Sequence, residues 1–308
     1  MFNERTILIT GGTGSLGHHL IRRITRDYKP HKIIIYSRDE FKQSQMQKEF
    51  DNDCLRYFLG DVRDLERLKN AVKSADIVIH AAALKQVPAL EYNPTEAVKT
   101  NIMGSMNVIT ACLDTDPERK KKVLLISSDK AVSPINLYGA TKLTAEKLFV
   151  AANVYNHSKF SVVRYGNVAG SRGSVVPLFQ GLSKKGELVF PITDFDMTRF
   201  WLTLDDAVDL IFKILSDMKG GEIYVPKIKS AKITDIAKAV NKDCVFSKIG
   251  IRPGEKLHEC LVSEDNKNVF IVNGGYISPA TEIYASDKND FLSIAEIEYA
   301  IKNSDWYC

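Results

Sequence analysis

The chain has 308 residues, 44% of them hydrophobic and 26% charged, with 42 Lys and Arg against 38 Asp and Glu for a formal net charge of +4. That mix belongs to a soluble globular protein, long enough for one large α/β unit or two domains sharing a cleft, and it excludes a disordered chain. No apolar run approaches the roughly 18–20 residues of a membrane span. The basic residues are scattered, and the run from Arg119 to Lys122 stands beside Asp116 and Glu118 as a solvated loop, so neither nucleic acid nor a membrane is an expected partner.

In chain order, Met1 to Arg5 runs straight into a strand-like Thr6-Ile7-Leu8-Ile9, which leaves no room for a signal peptide. Five further β-branched runs follow: Lys32 to Tyr36, Leu55 to Phe58, Ile77 to His80, Val123 to Ile126 and Ser161 to Arg164. Most are separated by segments long enough for a crossover helix. Near-continuous apolar runs suit parallel strands buried on both faces. The alternation predicts an α/β fold, a doubly wound parallel (Rossmann-type) sheet that takes ligands at the carboxyl ends of its strands.

From about Gly170 the pattern changes, with Gly173, Pro177, Gly181, Gly186 and Pro191 in quick succession. A helix-like Asp205 to Phe212 and a strand-like Glu222 to Val225 come next. The expected division is a dinucleotide-binding domain over 1–175, with 201–226 returning to it, and a second, smaller substrate-binding lobe from 176–200 and 227–308. Cys54, Cys112, Cys244, Cys260 and Cys308 form no C-x-x-C pair, and His18, His19, His31, His80, His157 and His258 lack zinc-site spacing. A reduced, cytoplasmic, metal-free protein is the expectation.

Two stretches carry chemistry. Directly after the first strand, Thr10-Gly11-Gly12-Thr13-Gly14-Ser15-Leu16-Gly17 leads into an apolar Leu20, Ile21 and Ile24. Gly12, Gly14 and Gly17 satisfy G-x-G-x-x-G, and Gly11 precedes them. A plain tight turn is the alternative, but strand before and helix after fit a backbone cradle for a pyrophosphate at a helix N-terminus. At the end of the second strand, where an acid holds the ribose of NAD, stand Ser37 and Arg38. A hydroxyl and a guanidinium suit the 2′-phosphate of NADP, although Asp39, one step further on, restores NAD under a shifted alignment. Asp61 and Val62 after the third strand are placed for the adenine. Ala81, Ala82 and Ala83 after the fourth are small enough for the cofactor to lie on the backbone, or simply form a small-residue loop.

The second stretch is Tyr138-Gly139-Ala140-Thr141-Lys142, with Tyr138 and Lys142 at i and i+4 on one helix face. A nearby ammonium, together with a positive nicotinamide, lowers the phenol and lets Tyr138 act as a base. Ten residues upstream, Ser127-Ser128-Asp129-Lys130 ends the fifth strand, where the Ser128 hydroxyl can orient the tyrosine and a substrate oxygen. Lys85 faces the same crevice, as a substrate contact or as a solvated side chain.

The glycine motif, Ser128, Tyr138 and Lys142 resemble an extended short-chain dehydrogenase/reductase. More narrowly, Asp129-Lys130-Ala131, Asn136 to Lys142, Arg164 to Val168, Gly170 to Pro177, Met197 to Phe200 and Arg252-Pro253-Gly254-Glu255-Lys256 resemble the inverting UDP-N-acetylglucosamine 4,6-dehydratases, over almost the whole chain. Related longer enzymes carry an N-terminal membrane region and some have Met in place of Tyr138; neither feature is present here, which favours the soluble, inverting type.

The resemblance implies a bound NADP, UDP-N-acetylglucosamine as substrate, a homo-oligomer, and a place at the start of pseudaminic acid synthesis. It further implies Asp129 as the acid at the departing 6-hydroxyl and Lys130 as the base at carbon 5, which calls for a lowered lysine pKa. A nucleotide sugar needs cations and hydrogen-bond donors for its tail. Arg199, Arg252 and Lys256 are candidates for the diphosphate, Glu255 for the uridine ribose, and Asn167 for the sugar or a phosphate. Arg172 serves either ligand or braces its loop. The alternatives on the same scaffold are a 4-epimerase or reductase, or a non-catalytic NADP-binding protein.

Overall fold

The computed structural model describes residues 1–116, 118–170, 174–264 and 267–303. Its strands are β1 (Thr6–Thr10), β2 (Lys32–Ser37), β3 (Leu55–Leu59), β4 (Ile77–His80), β5 (Lys122–Ile126), β6 (Lys159–Val163), β7 (Asn167–Val168) and β8 (Val189–Ile192). Then come β9 (Thr198–Leu202), β10 (Ile223–Pro226), β11 (Ser230–Lys232), β12 (Val245–Lys248), β13 (Cys260–Val262), β14 (Val269–Asn273), β15 (Tyr276–Pro279) and β16 (Tyr284–Ala285).

Nine of these form one sheet in the order β15-β14-β10-β6-β5-β4-β1-β2-β3. All neighbours are parallel except the β14–β15 hairpin. The strands form where β-branched residues face a core on both sides. Ile7, Ile9, Ile33 and Ile35 point into one apolar layer with Ile21 and Ile24 of helix Ser15–Asp27 and Val208 and Ile211 of helix Leu204–Asp217. The intervening Leu8, Ile34 and Tyr36 point into the other, against Leu68, Val108 and Phe149. This two-faced burial is the expected doubly wound α/β sheet.

The second lobe has its own core, with Val176, Phe179, Phe190, Ile192, Ile236 and Ile297 among its buried residues. One boundary differs from expectation. Residues 269–279, assigned to the lobe, extend the main sheet instead. β10 leaves an open parallel edge, β14 pairs with it from Ile223↔Val269 onward, and a two-residue Gly274-Gly275 turn folds β15 back. Among the described residues no helix is long and apolar enough to cross a membrane, and no cluster of His, Cys, Asp and Glu is arranged to hold a metal ion.

Candidate active site

A cleft of about 670 Å³ opens at the carboxyl ends of the central strands. The glycine loop forms one wall. Gly11 has φ +69°, and a Cβ there would lie 2.9 Å from the Ala82 backbone; a Cβ on Gly17 would lie 2.1 Å from the Gly12 carbonyl. Only glycine allows the loop to fold this tightly against β4 and its own helix. The helix that follows, Ser15–Asp27, has Gly14 at its N-cap, no side-chain cap and no acid in its first turn. Helices Glu40–Glu49 and Leu65–Val72 are capped by Asp39 and Asp64, whereas the amide end at the cleft is bare and suited to an anion.

At the end of β2, Thr13 Oγ1 and Ser37 Oγ are 2.9 Å apart. Arg38 lies beside them, 3.5 Å from Asp61, and Lys42 also lines the cleft. Asp39 lines the cleft as well, bonded to Lys42. Its carboxylate accepts from the Lys42 backbone N–H at 2.9 Å and pairs with Lys42 Nζ at 2.9 Å. Ser15, Leu16, Asp61, Val62, Ala81, Ala82, Ala83 and Lys85 are all in the lining. These residues fit a dinucleotide, with bare helix amides for a pyrophosphate and hydroxyls and charged groups at the end of β2 for an adenosine ribose.

The opposite wall carries the residues expected to move protons. Helix Leu137–Ala151 starts at Asn136, whose side chain accepts from Gly139 N–H, and this cap delivers Tyr138 and Lys142 to the cleft. Burial raises the Tyr138 phenol above its ordinary value, while the Lys130 charge and a hydrogen bond with Ser128 pull it down. The expected source of the lowering was Lys142. Its ammonium instead donates to the Ile126 carbonyl at 2.8 Å, and burial, partly opposed by Glu146, brings it down to about 8.

Ser128 Oγ donates to Asp129 Oδ1 at 2.9 Å, and Lys130 Nζ lies 3.1 Å from the same oxygen. The expected lowering of Lys130 is reversed. Burial acts in that direction, but Asp129 and Glu259 outweigh it and hold the ammonium above the ordinary lysine range. Asp129 itself is fully buried behind the cleft wall.

Of the candidate substrate residues, Asn167 lines the cleft and accepts from Lys130 Nζ at 3.3 Å. Arg199 departs from expectation. It is 7% exposed, and its guanidinium is spent on the carbonyls of Thr198, Leu257 and Lys256 at 2.7, 3.1 and 3.0 Å. Lys256 likewise donates to the Val132 carbonyl at 2.6 Å, and Asn136 Nδ2 donates to Gly254 O at 2.8 Å. These bonds staple the Arg252–Lys256 loop onto the turn that carries Asp129 and Lys130. Arg252 is exposed, and its backbone N–H donates to Glu255 Oε2 at 3.2 Å. Arg172 lies outside the described residues.

Sequence reasoning missed Glu259, Lys42 and the buried pair Glu146–Arg164. Glu146 stands four residues after Lys142 on the same helix face, a spacing that could have found it. Nothing local marks Glu259.

The sequence pattern of the family described as polysaccharide biosynthesis protein matches residues 7–277. The UDP-N-acetylglucosamine 4,6-dehydratase (inverting) of Campylobacter jejuni subsp. jejuni serotype O:2 is 51% identical over 297 residues, 96% of this chain and 88% of its own. The UDP-glucose 4-epimerase of Rickettsia akari is 41% identical over 290 residues, 90% of this chain and 83% of its own. Among solved structures, Pen from Bacillus thuringiensis superposes with a TM-score of 0.90 at 36% identity, covering 99% of both chains. The dTDP-glucose 4,6-dehydratase of Streptomyces venezuelae shares the fold, with a TM-score of 0.72 at 20% identity over 82% of this chain and 86% of that one. With its glycine loop, Ser128, Tyr138 and Lys142 gathered on one cleft of a short-chain dehydrogenase/reductase fold, the chain belongs to the polysaccharide biosynthesis protein family.

Proposed function

We propose that the protein is a UDP-N-acetylglucosamine 4,6-dehydratase that inverts carbon 5 and works with a bound NADP regenerated in every turnover. The observation that carries this reading is Asp129 and Lys130, held 3.1 Å apart beside Tyr138. A 4-epimerase needs the tyrosine alone, whereas elimination of the 6-hydroxyl also needs an adjacent acid and base. The dehydratase from Campylobacter jejuni, 51% identical to this chain, supports the same choice.

When bound, the nicotinamide supplies the acceptor, and later the donor, of one hydride. Tyr138, oriented by Ser128, takes the proton of the 4-hydroxyl once the phenol has lost its own proton, a loss that the Lys130 charge and a bound, positive nicotinamide would favour against burial. The 4-keto group then acidifies the carbon 5 proton, which Lys130 removes, while Asp129, buried behind the wall, passes its proton through the Ser128 hydroxyl that lines the cleft to the departing 6-hydroxyl, which leaves as water. Lys130 rests as an ammonium, so it must first lose a proton. A single transfer from Nζ to Asp129 Oδ1 creates the neutral base and the protonated acid together.

Ser37, Thr13 and Arg38 around the adenosine end support NADP over NAD, with Asp39 in the same wall engaged as a helix cap and paired with Lys42. Lys85, Asn167, the exposed Arg252 and the half-buried Glu255 remain for the nucleotide sugar, while Arg199 and Lys256 hold the loop in place. The family likeness carries a homo-oligomer, which sedimentation of the pure protein tests. A nucleotide sugar and NADP as partners fit the cytoplasm and the opening step of pseudaminic acid synthesis.

The test is to incubate purified protein with UDP-N-acetylglucosamine and no added cofactor, beside Lys130→Ala. The wild type should release a 4-keto-6-deoxy sugar, and the variant should stop after oxidation at carbon 4. A Lys130→Ala protein that still interconverts carbon 4 epimers would assign an epimerase.

A further inference from the structure

Lys130 stands in a cage of three acceptors, one for each N–H of its ammonium. Nζ is 3.1 Å from Asp129 Oδ1, 3.1 Å from Glu259 Oε1 and 3.3 Å from Asn167 Oδ1. Asp129 and Asn167 follow strands of the main sheet, but Glu259 arrives from the far side of the Arg252–Lys256 loop. It is 2% exposed, and its backbone N–H donates to Ser286 Oγ at 2.9 Å. Arg199 Nε is 3.8 Å away, and Glu259 Oε2 is buried without a hydrogen-bond partner. Burying a carboxylate with one oxygen unsatisfied is costly. A stabilising core position would be filled better by an apolar side chain. The arrangement makes sense when the carboxylate acts on the lysine it touches.

We propose that Glu259 is the positioning residue for Lys130, holding Nζ against the cleft and tuning its hold on a proton, an inference that rests on the dehydratase reading for the step it serves. The charged and titratable groups facing Lys130 are Asp129 beside it, Glu259 and Arg199 from the stapled loop and β9, Tyr138 from its helix, and Lys85 across the cleft. Glu259 is the one carboxylate among them that lies outside the Ser128–Lys130 turn, so it can be changed without disturbing that turn.

The experiment compares wild type, Glu259→Gln and Glu259→Asp. Glutamine keeps an acceptor oxygen and removes the charge; aspartate keeps the charge and shortens the reach. Lys130 is titrated in the substrate-free protein by NMR of lysine labelled at Cε, its signal identified by its loss in Lys130→Ala. In Glu259→Gln the midpoint should fall by about one pH unit or more, the size of a single close charge. The basic limb of kcat with UDP-N-acetylglucosamine, set by loss of the one proton that Lys130 and Asp129 share, should fall by the same amount, with KM unchanged to about twofold. In Glu259→Asp the Lys130 midpoint should stay near that of the wild type while kcat drops about tenfold or more, because the shorter side chain draws Nζ from its place.

An unmoved midpoint in Glu259→Gln, a kcat limb that does not follow it, or a loss confined to KM overturns the proposal. Should the glutamine variant not fold, a Glu259→Asp protein with wild-type kcat overturns it equally. Wild type that leaves UDP-N-acetylglucosamine unchanged rejects the dehydratase reading instead, and the substrate-free titration still decides whether Glu259 governs Lys130.

Discussion

Replacing Lys142 by methionine should make the protein more stable near neutral pH and abolish turnover. Lys142 is 5% exposed, and burial, offset in part by Glu146, moves it from 10.5 to about 8. The gap corresponds to roughly 3 kcal/mol by which folding disfavours the ammonium. Methionine fills a similar volume with no charge to desolvate, and loses one hydrogen bond, to the Ile126 carbonyl, worth about 1 kcal/mol. The net expectation near pH 7 is a gain of about 2 kcal/mol.

The pH dependence is sharper than the single value. Between about pH 8 and 10.5 the unfolded chain still holds the proton that folded Lys142 has lost, so wild-type stability rises with pH there. Urea melts of both cofactor-free proteins across this range should show the wild type gaining about 3 kcal/mol on the variant. The tyrosines and cysteines common to both largely cancel in the difference. A difference that stays constant with pH, or a Lys142→Met protein that is weaker throughout, would refute the reasoning that function keeps a charge here against stability.

Other predictions follow from the same geometry. Burial, with the Lys142 charge adding to it, takes the His80 imidazole down to about 3, so the folded protein holds it neutral. Stability should therefore fall as pH drops below about 6.5, by up to about 1.4 kcal/mol per pH unit, and His80→Asn should flatten that limb in urea melts. Arg164 is bound to Glu146 at 2.6 and 3.1 Å and to the Leu261 carbonyl at 2.8 Å, all buried. Arg164→Met should cost about 3–5 kcal/mol in denaturant melts, and adding Glu146→Leu should recover much of it. In Gly17→Ala the new Cβ meets the Gly12 carbonyl at 2.1 Å and forces the loop to shift. NADP affinity measured by calorimetry should fall about tenfold or more, with helix content by circular dichroism unchanged.

What the sequence made legible follows from how local each cause is. A run such as Ile33-Ile34-Ile35 can be buried on two faces only as a central strand, and the glycine loop and Tyr138–Lys142 are complete within a few residues, so their places could be read directly. The β14–β15 extension depends on pairing Val269 with Ile223, which no local pattern announces. The same distance hid the true partners of the cations. Arg199 reads as a phosphate ligand until Lys256 and Leu257 bring their carbonyls to it, and Lys130 reads as a desolvated base until Glu259 closes on it. Charge balance in a buried site is set by groups that meet only after folding.

The most direct test of the account is the structure of the product formed from UDP-N-acetylglucosamine in deuterated water, followed by NMR over time. The account predicts a 4-keto sugar with a methyl group at carbon 6, solvent deuterium at carbon 5 and inverted configuration there. A product that keeps its 6-hydroxyl and differs only at carbon 4, or one with no deuterium at carbon 5, would contradict it.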